Sequence, residues 1–308
     1  MKLLIVGASS FLGRNVIGVA DESEWDLVGT YHRSRTFRGF AAKHGCEAVQ
    51  VDLMAPSRSW EADVCIYLAG NPDHRASMVS PANDLQHNAE ALARFLEGFH
   101  GGFVLMSSAA VYDGHSGKVT PKARLDPRWP YAISKFTGEQ YVRWYASTGS
   151  LRWATILRLY YAYGPYDRAT RLVPRILEVV KTKRREFVVT SPRGSLLDPL
   201  FAEDAARAAL AAARGQAMGA CLDLCGGHPQ GVHAFVQEVL RILDAPIDVV
   251  DKPREDERPV LFHSDPHASQ RRLRLGPFTP LRQGIERTAG WSTSDVQAGS
   301  DRADLKQR

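Results

Sequence analysis

Tyr131 and Lys135, four residues apart, are the residues of this chain whose spacing most plainly suggests chemistry. On an α-helix that spacing is about one turn, so an ammonium group can lie beside a phenol. A neighbouring cation favours the phenolate, and it is expected to lower a phenol pKa that is ordinarily near ~10. Tyr131 could then serve as a general acid or base. Because the same spacing also arises by chance in amphipathic helices, the surrounding elements must show whether these two residues belong to an active site.

The composition is that of a soluble globular protein. The chain has 308 residues, of which 44% are hydrophobic and 24% charged, which is enough for one large or two modest domains. No apolar run is long enough to cross a bilayer, and Met1 and Lys2 lead into a short apolar run instead of a signal peptide. We therefore expect a cytoplasmic protein that does not bind membranes.

Charge and cysteine usage exclude two further classes of site. The formal net charge of +5 is mild and suits an anionic cofactor or substrate, but no nucleic-acid-binding motif accompanies it. The four cysteines lack paired C-x-x-C spacing and fall mostly in apolar runs: Cys46, Cys65, Cys221 and Cys225. We predict buried free thiols, no metal site and no nucleic-acid partner.

The N-terminus has the pattern of a dinucleotide-binding turn. An apolar run at residues 3–6 is followed by Gly7, by Gly13 and by helical spacing through about Ala20. Gly7 permits a tight turn, Gly13 lets the helix pack close to the strand, and the amides at the helix start face a pyrophosphate. Ser10 stands where a glycine is often found. The predicted cofactor contacts in this turn are Gly7, Ser9, Ser10, Phe11, Leu12 and Gly13.

The end of the second predicted strand, residues 27–31, indicates which dinucleotide is bound. A site for NAD usually places an acid there to accept hydrogen bonds from the ribose hydroxyls. This chain instead has His32, Arg33 and Arg35, and Asp26 lies before the strand. The cations suit the additional phosphate of NADP, although they could also be a solvated loop. We therefore predict NADP, with NAD as the alternative, and contacts from His32 and Arg33.

Further apolar runs continue a β-α alternation that is typical of a parallel sheet. Residues 48–51 and 64–70 are strand-like, and the predicted cofactor contacts at their carboxyl ends are Asp52, Leu53, Leu68, Ala69 and Gly70. Residues 83–99 have helical spacing and carry Asn88, which could bridge to the catalytic groups through water or be solvated. A strand at 103–106 leads into Ser107 and Ser108.

Taken in order, these motifs resemble the extended short-chain dehydrogenase/reductase (SDR) family. They are G-x-x-x-x-x-G at 7–13, S-S-x-x-V-Y at 107–112, Y-x-x-x-K at 131–135 and R-x-x-x-x-Y-G-P at 158–165. Later segments at 172–174, 198–204, 222–227 and 279–285 are also similar, so the resemblance covers the chain up to about Trp291. Members of this family mostly epimerise, reduce or dehydrate nucleotide sugars.

The resemblance implies a fold and roles for three residues. Ser108 would hydrogen-bond the reacting oxygen and Tyr131 would transfer the proton, while Lys135 would bind the nicotinamide ribose and hold the tyrosine's pKa down. The implied fold is α/β, a Rossmann-like doubly wound parallel sheet with a smaller, interleaved C-terminal substrate lobe. The expected divisions are a dinucleotide-binding domain at 1–165 to which 196–215 return, a substrate lobe at 166–291 and a polar tail at 292–308. A homodimer is expected.

Departures from the family pattern bear on the reaction. Family dehydratases have acidic residues directly after the serine or threonine, whereas this chain has Ala109 and Ala110, which argues against dehydration. Residues 111–114, and Tyr161 where many epimerases have Asn, are more similar to the dTDP-4-dehydrorhamnose reductase branch. The resulting prediction is reduction of a 4-keto nucleotide sugar or a related carbonyl intermediate, with Tyr131 as proton donor. The alternatives are an epimerase that recycles bound NAD(P) and a non-catalytic redox sensor.

One departure concerns the nucleotide part of the substrate. Leu197 precedes Asp198 where epimerases of this family usually have an arginine for the diphosphate. The remaining candidates for the phosphates are Arg193, Arg254 and Arg258, each of which could equally lie on a solvated face. Tyr160 and Tyr161, with Tyr163 and Tyr166 nearby, could line a sugar site or belong to the core.

Overall fold

The computed structural model describes residues 1–20, 23–55, 59–255 and 257–298, with side chains through Trp291. Its strands in chain order are β1 (Lys2–Val6), β2 (Asp26–Tyr31), β3 (Cys46–Gln50), β4 (Val64–Tyr67), β5 (Gly102–Ser108), β6 (Ser116–Lys118), β7 (Trp153–Leu159), β8 (Tyr161–Tyr163), β9 (Glu186–Val189), β10 (Leu196–Leu197), β11 (Pro199–Phe201), β12 (Cys221–Leu224), β13 (Gln230–Gly231), β14 (Asp248–Asp251) and β15 (Leu261–His263).

The α-helices in chain order are α1 (Phe11–Val19), α2 (Phe37–Lys43), α3 (His74–Val79), α4 (Pro81–Leu85), α5 (Ala91–Glu97), α6 (Pro130–Ser147), α7 (Leu172–Lys181), α8 (Ala202–Ala213), α9 (Val232–Ile242), α10 (His267–Leu273) and α11 (Leu281–Ala298). A π-helix, Gln86–Glu90, joins α4 to α5, and a 3₁₀ turn, Ala109–Tyr112, follows β5.

Seven strands form one parallel sheet in the order β12-β7-β5-β4-β1-β2-β3. The chain moves outward from β1 to β3 on one side and returns to build β4 and β5 on the other. The strand order therefore reverses between β1 and β4, and ligands of such sheets bind at the carboxyl ends of the strands beside this point. The predicted Rossmann-like α/β fold is confirmed.

Helices cover both faces of the sheet because its central strands are apolar on both sides. One face is packed by α1 and by the alanine-rich α8, whose small side chains permit close approach to the strands. The other face holds an aromatic cluster that includes Phe95, Phe99 and Phe103, against which α5 and α6 pack. This packing places the first turn of α6 at the carboxyl end of β5.

The remaining strands form two-stranded pairs around a separate core that includes Val173, Ile176, Phe187 and Phe235. The last strand of the main sheet, β12, comes from residues 221–224, so the chain returns to that sheet after residue 215 as well as at 196–215. The segments that build this second core are accordingly interleaved in sequence with those of the sheet.

Predictions about one helix, the C-terminal tail and the cysteines can be compared directly with the structure. The predicted single helix at 83–99 is interrupted by the π-helix. The last helix continues to Ala298, so part of the predicted polar tail at 292–308 is helical, while residues 299–308 lie outside the described residues. All four cysteines are free thiols, as predicted. Within the described part of the chain, no helix combines the length and apolarity needed to cross a membrane.

Candidate active site

The turn after β1 has the geometry that its glycines predict. Gly7 has a φ of +84°, and a Cβ added there would lie 2.8 Å from the backbone nitrogen of Ala69. A Cβ on Gly13 would lie 2.5 Å from the carbonyl oxygen of Ala8. Gly7 is therefore needed for the turn, and Gly13 for the close contact between α1 and Ala8 in that turn.

Ser10 has a structural role that explains its place in the turn. Its hydroxyl accepts a hydrogen bond from the backbone amide of Gly13 at 3.1 Å and caps α1. Backbone atoms lie close to the crevice at the carboxyl ends of the strands. They come from the start of α1, from Gly7 where it approaches Ala69, and from Gly70, whose φ is +147°. These residues fit a dinucleotide: the α1 amides would bind its pyrophosphate, and Leu68, Ala69 and Gly70 would face its nicotinamide half.

Residues 32–35, which follow β2, include two arginines and no acid. His32, Arg33 and Arg35 are exposed just beyond the carboxyl end of β2. Asp26 begins the strand at its opposite end, where it lies opposite Lys2 of β1 in the sheet. Asp52 and Leu53 follow β3 at the same edge of the sheet, and the carboxylate of Asp52 accepts the Met54 amide at 2.9 Å. The structure thus brings the predicted cofactor residues to one edge of the sheet.

The three predicted catalytic residues also meet at this edge. Ser108 is the last residue of β5, and Tyr131 and Lys135 occupy successive turns of α6. The hydroxyl of Ser108 is hydrogen-bonded to the phenol of Tyr131. The Lys135 ammonium donates to the carbonyl oxygen of Met106, at 3.0 Å, and so ties α6 to β5.

The expectation that the pKa of Tyr131 is lowered is wrong. Burial raises this pKa above its ordinary value, because the charged phenolate loses its hydration. The Ser108 hydrogen bond and the charges of Arg171 and Arg168 oppose this effect. Burial also lowers the pKa of Lys135 to about 8, against the charges of Glu139 and Asp84, so this lysine is itself a poorly hydrated cation.

Arg171 is a residue of this site that the sequence motifs did not indicate. It precedes α7, forms an ion pair with Asp167 at 3.1 Å and donates to the Ala162 carbonyl at 3.0 Å. Its guanidinium lies over the ring of Tyr161, and its charge favours the ionised form of Tyr131. The ring of His74 stacks on Tyr131 with centroids 4.2 Å apart. Only the tertiary packing brings these groups together.

A second unpredicted group lies behind Tyr131, and we call it the aspartate cluster: Asp84, Asn71, Asn88 and Ser134. The Asp84 carboxylate is fully buried and accepts from Asn88 at 2.9 Å, from Asn71 at 3.3 Å and from the Ser134 hydroxyl at 2.5 Å. Asn88 is therefore not a solvated mid-helix residue. Its Oδ1 has no hydrogen-bond partner and lies against Gly70, where an added Cβ would be 2.4 Å away.

The predicted substrate residues have different surroundings. Tyr161 lies under Arg171, whereas Tyr160 packs beside Phe262 in a small core cluster. Arg193 and Arg258 are exposed, and Arg254 pairs with Glu257 at 3.1 Å.

The other two tyrosines suggested for a sugar site lie elsewhere. Tyr163 is buried in the core against Phe201, and Tyr166 packs between Phe40 and Trp291. For both of them the core interpretation is the correct one.

Comparisons with known proteins agree with this fold. Of the solved structures, a UDP-glucuronic acid 4-epimerase from Bacillus cereus, in complex with UDP-glucuronic acid and NAD, is similar with a TM-score of 0.84 at 19% identity, covering 96% of this chain and 99% of that one. MoeE5 in complex with UDP-glucose and NAD is similar with a TM-score of 0.83 at 20% identity, covering 96% and 100%.

Two comparisons of sequence complete this result. The uncharacterised protein YbjS of Escherichia coli strain K12 is 26% identical, over 94% of this chain and 97% of the relative. The family model described as "NAD dependent epimerase/dehydratase family" matches residues 3–220, which is more than half of the chain. Members of that family are SDR-type enzymes that use NAD. The chain belongs to the NAD dependent epimerase/dehydratase family.

Proposed function

We propose that this protein is an NAD(P)-dependent epimerase that inverts one carbon of a nucleotide sugar in the cytoplasm. The observation that carries the proposal is the meeting of Ser108, Tyr131 and Lys135 at the sheet edge that also holds the Gly7 turn. The structural neighbours named above were solved with NAD and UDP-sugars, which supports this substrate class. The alanines at 109 and 110 leave Tyr131 without a second proton-transfer group beside Ser108.

The residues of the site can perform a two-step inversion. The Tyr131 phenolate takes the proton of a sugar hydroxyl while the carbon loses hydride, which leaves a ketone. Ser108 holds the oxygen during this step, and the charges of Arg171 and Arg168 favour the phenolate. A dinucleotide bound at the Gly7 turn would supply the acceptor and donor of this hydride. After the ketone turns its other face, hydride addition and proton return from Tyr131 give the inverted alcohol.

The decisive variant is Tyr131→Phe. It removes one oxygen and keeps the ring that stacks on His74, so we expect turnover to fall by at least ~10²-fold with dinucleotide binding nearly unchanged. The measurement is product formation from a panel of UDP- and dTDP-sugars, with cofactor binding followed by fluorescence. Retained turnover in Tyr131→Phe would refute the proton-transfer role. Absence of turnover in the wild-type protein on every sugar, with tight cofactor binding, would favour the redox sensor.

A second candidate is reduction of a 4-keto nucleotide sugar or a related carbonyl compound by NADPH, as in the dTDP-4-dehydrorhamnose reductase branch. The cations that follow β2 favour it, since Arg33 and Arg35 suit a cofactor with an additional phosphate. A reductase consumes NADPH in a 1:1 ratio with product, whereas an epimerase turns over without net consumption.

Titration with NADPH and NADH tests the cofactor preference directly. We expect tighter NADPH binding in the wild-type protein and a loss of that preference in the double variant Arg33→Ala with Arg35→Ala. Tighter binding of NADH by the wild-type protein would contradict the assignment of these arginines.

For the nucleotide part of the substrate we propose the lobe at 166–291, and for its diphosphate Arg193, Arg254 or Arg258. The domain at 1–165, with 196–215, would hold the cofactor. Arg254 is half-buried and already ion-paired, so it is the best positioned of the three. We expect Arg254→Met to raise KM for a UDP-sugar while leaving kcat nearly unchanged; an unchanged KM would remove Arg254 from the site.

We also propose that the protein is a homodimer. Large apolar side chains on neighbouring helices are exposed, with Leu85 47%, Tyr141 43% and Trp144 56% accessible. A second copy that covers this surface would bury them. Analytical ultracentrifugation of the wild-type protein and of Trp144→Glu would test this, and a monomeric wild-type protein would contradict it.

A further inference from the structure

We propose that Arg14 is a positioning residue of the cofactor site, whose buried guanidinium links the Gly7 turn to the loop at residues 32–36 and thereby favours the binding of NADPH over that of NADH. The inference rests on the proposed function, because it assumes that the turn and the loop bind the same dinucleotide. Arg14 is not among the residues that the sequence motifs assign to the cofactor. Its role follows from contacts between segments that only the fold brings together.

The guanidinium of Arg14 forms hydrogen bonds to both segments. Its Nε donates to the carbonyl oxygen of Ser9 at 3.4 Å, and its Nη2 donates to the hydroxyl of Thr36 at 3.0 Å. Ser9 belongs to the turn that would bind the pyrophosphate, and Thr36 ends the loop that follows β2 and immediately precedes α2. A single side chain therefore joins the two segments.

Packing holds this guanidinium in place. Arg14 is only 6% exposed, although an arginine is rarely buried without specific partners. Its guanidinium carbon lies 4.8 Å from the ring centroid of Phe40 on α2 and 5.7 Å from that of Tyr166. A planar guanidinium can stack on aromatic rings and donate hydrogen bonds at its edge at the same time. Arg14 thus contacts the start of α2 through Thr36 and its middle through Phe40.

The loop that Arg14 anchors carries the cations assigned to the additional phosphate of NADP. Arg33 and Arg35 are exposed, whereas Ser34 between them is 6% exposed. The backbone of the loop is therefore held at Ser34 and at Thr36, while both cationic side chains remain accessible. Holding a binding loop in one arrangement before the ligand arrives reduces the entropy that is lost on binding.

These contacts predict a selective effect on cofactor binding. NADPH and NADH share the pyrophosphate, but only NADPH has the additional phosphate that Arg33 and Arg35 could bind. When the contact to Thr36 is lost, the loop loses one of its anchors, and NADPH should lose more affinity than NADH. Arg14 itself is too deeply buried to be the ligand of that phosphate.

The test is a titration of the full-length protein with NADPH and with NADH, followed by the fluorescence of the bound dinucleotide. Arg14→Met keeps an unbranched side chain that can pack on Phe40 but cannot donate a hydrogen bond. We expect this variant to raise Kd for NADPH about tenfold and Kd for NADH by at most about threefold, because only NADPH uses the cations of the loop.

Variants of Thr36 test the same contact from its other end, and they decide the question if Arg14→Met does not fold. The Thr36 hydroxyl does not cap α2, so its removal does not uncap the helix. Thr36→Val, which has the same shape without the hydroxyl, should raise Kd for NADPH selectively, whereas Thr36→Ser should bind NADPH as the wild-type protein does. The double variant Arg14→Met with Thr36→Val should bind NADPH no more weakly than Arg14→Met alone, because both changes break one hydrogen bond.

Lys43→Met is the matched control for charge. Lys43 is exposed in the last turn of α2, so its replacement removes one positive charge from the end of the helix away from the loop. We expect both Kd values to remain within about twofold of those of the wild-type protein, because an exposed charge at a distance is screened by salt.

The outcomes for Arg14 and for the proposed function are distinct. An unchanged Kd for NADPH in Arg14→Met, equal increases for the two dinucleotides, an equal effect of Lys43→Met, or a Thr36→Ser protein that binds as weakly as Thr36→Val would each overturn the role of Arg14. A selective loss of NADPH binding in a protein without epimerase activity would support Arg14 and contradict the proposed reaction. An active epimerase with an unselective loss would do the reverse.

Discussion

Helix α6 contributes to two buried polar groups that are built in opposite ways. The first is the aspartate cluster, which α6 enters through Ser134. The second, which we call the arginine cluster, consists of Arg158, Glu139, Tyr112, Asp223 and Ser264. In it the Arg158 guanidinium binds Glu139 and donates to the Tyr112 hydroxyl at 2.8 Å, and Tyr112 and Ser264 both donate to Asp223.

The difference between the clusters separates a structural role from a functional one. In the arginine cluster, a cation compensates the buried acid next to it, and the hydrogen bonds connect β5, β7, β12 and the loop after β15. In the aspartate cluster, only amides and a hydroxyl bind the acid, and its charge acts on Lys135 and Tyr131. The charges of Glu139 and Asp84 both oppose the lowering of the Lys135 pKa by burial. What distinguishes Glu139 is that a buried arginine compensates it within the fold.

The largest effect is expected when the arginine is removed. Arg158→Met leaves Glu139 and Asp223 buried without their cation, and we expect the free energy of unfolding to fall by about 3–5 kcal/mol. Urea denaturation measures this loss. The matched control is Arg143→Met, because Arg143 lies 3.7 Å from the same glutamate but is 44% exposed; its loss should be at most about 1 kcal/mol. Equal losses in the two variants would contradict the comparison.

The second prediction concerns pH. The folded-state pKa of Lys135 is about 8, against an ordinary 10.5, so the folded protein binds fewer protons than the unfolded chain between these values. Stability of the wild-type protein should therefore rise relative to Lys135→Met as pH increases from about 8 to 10.5, by at most about 3 kcal/mol.

Pairing gives Arg158 a different behaviour. Burial lowers its pKa, but the hydrogen bonds and charge of Glu139 outweigh burial and raise this pKa above its ordinary value, so Arg158 contributes no pH dependence between pH 8 and 10.5. Urea denaturation of the wild-type protein, Lys135→Met and Arg158→Met at a series of pH values measures the pH dependence that each of the two residues contributes. Parallel pH profiles for the wild-type protein and Lys135→Met would show that the lysine titrates normally.

The smallest effects are expected from the two serines. Ser264→Ala and Ser134→Ala each remove one hydroxyl that donates to a buried carboxylate, and each should lower the free energy of unfolding by about 1–2 kcal/mol. Only Ser134→Ala is expected to lower turnover as well, because Ser134 also contacts the Tyr131 carbonyl. Thermal denaturation and sugar turnover test this, and a comparable loss of turnover in Ser264→Ala would contradict the difference between the clusters.

The fold and the most recognisable part of the site follow from local patterns. The apolar runs that alternate with helices predict a parallel sheet, and Gly7 and Gly13 predict the turn, because these features depend on a few consecutive residues. The interrupted helix shows where such reasoning ends. The helical spacing of residues 83–99 would place Leu85 on the apolar face, but the π-helix inserts an additional residue into a turn and rotates the preceding segment, so that Asp84 is buried and Leu85 is exposed.

By itself, the sequence determined which groups are proposed to carry the chemistry: Ser108, Tyr131 and Lys135 have the types and the spacing of a hydride-transfer site. The tertiary structure alone decided the electrostatics around them. Burial depends on every element that packs over a residue, and it raises the pKa of Tyr131 where the spacing to Lys135 predicted a decrease. Asp84 and Arg171 belong to segments far apart in the chain, and only their packing against α6 brings their charges to Tyr131.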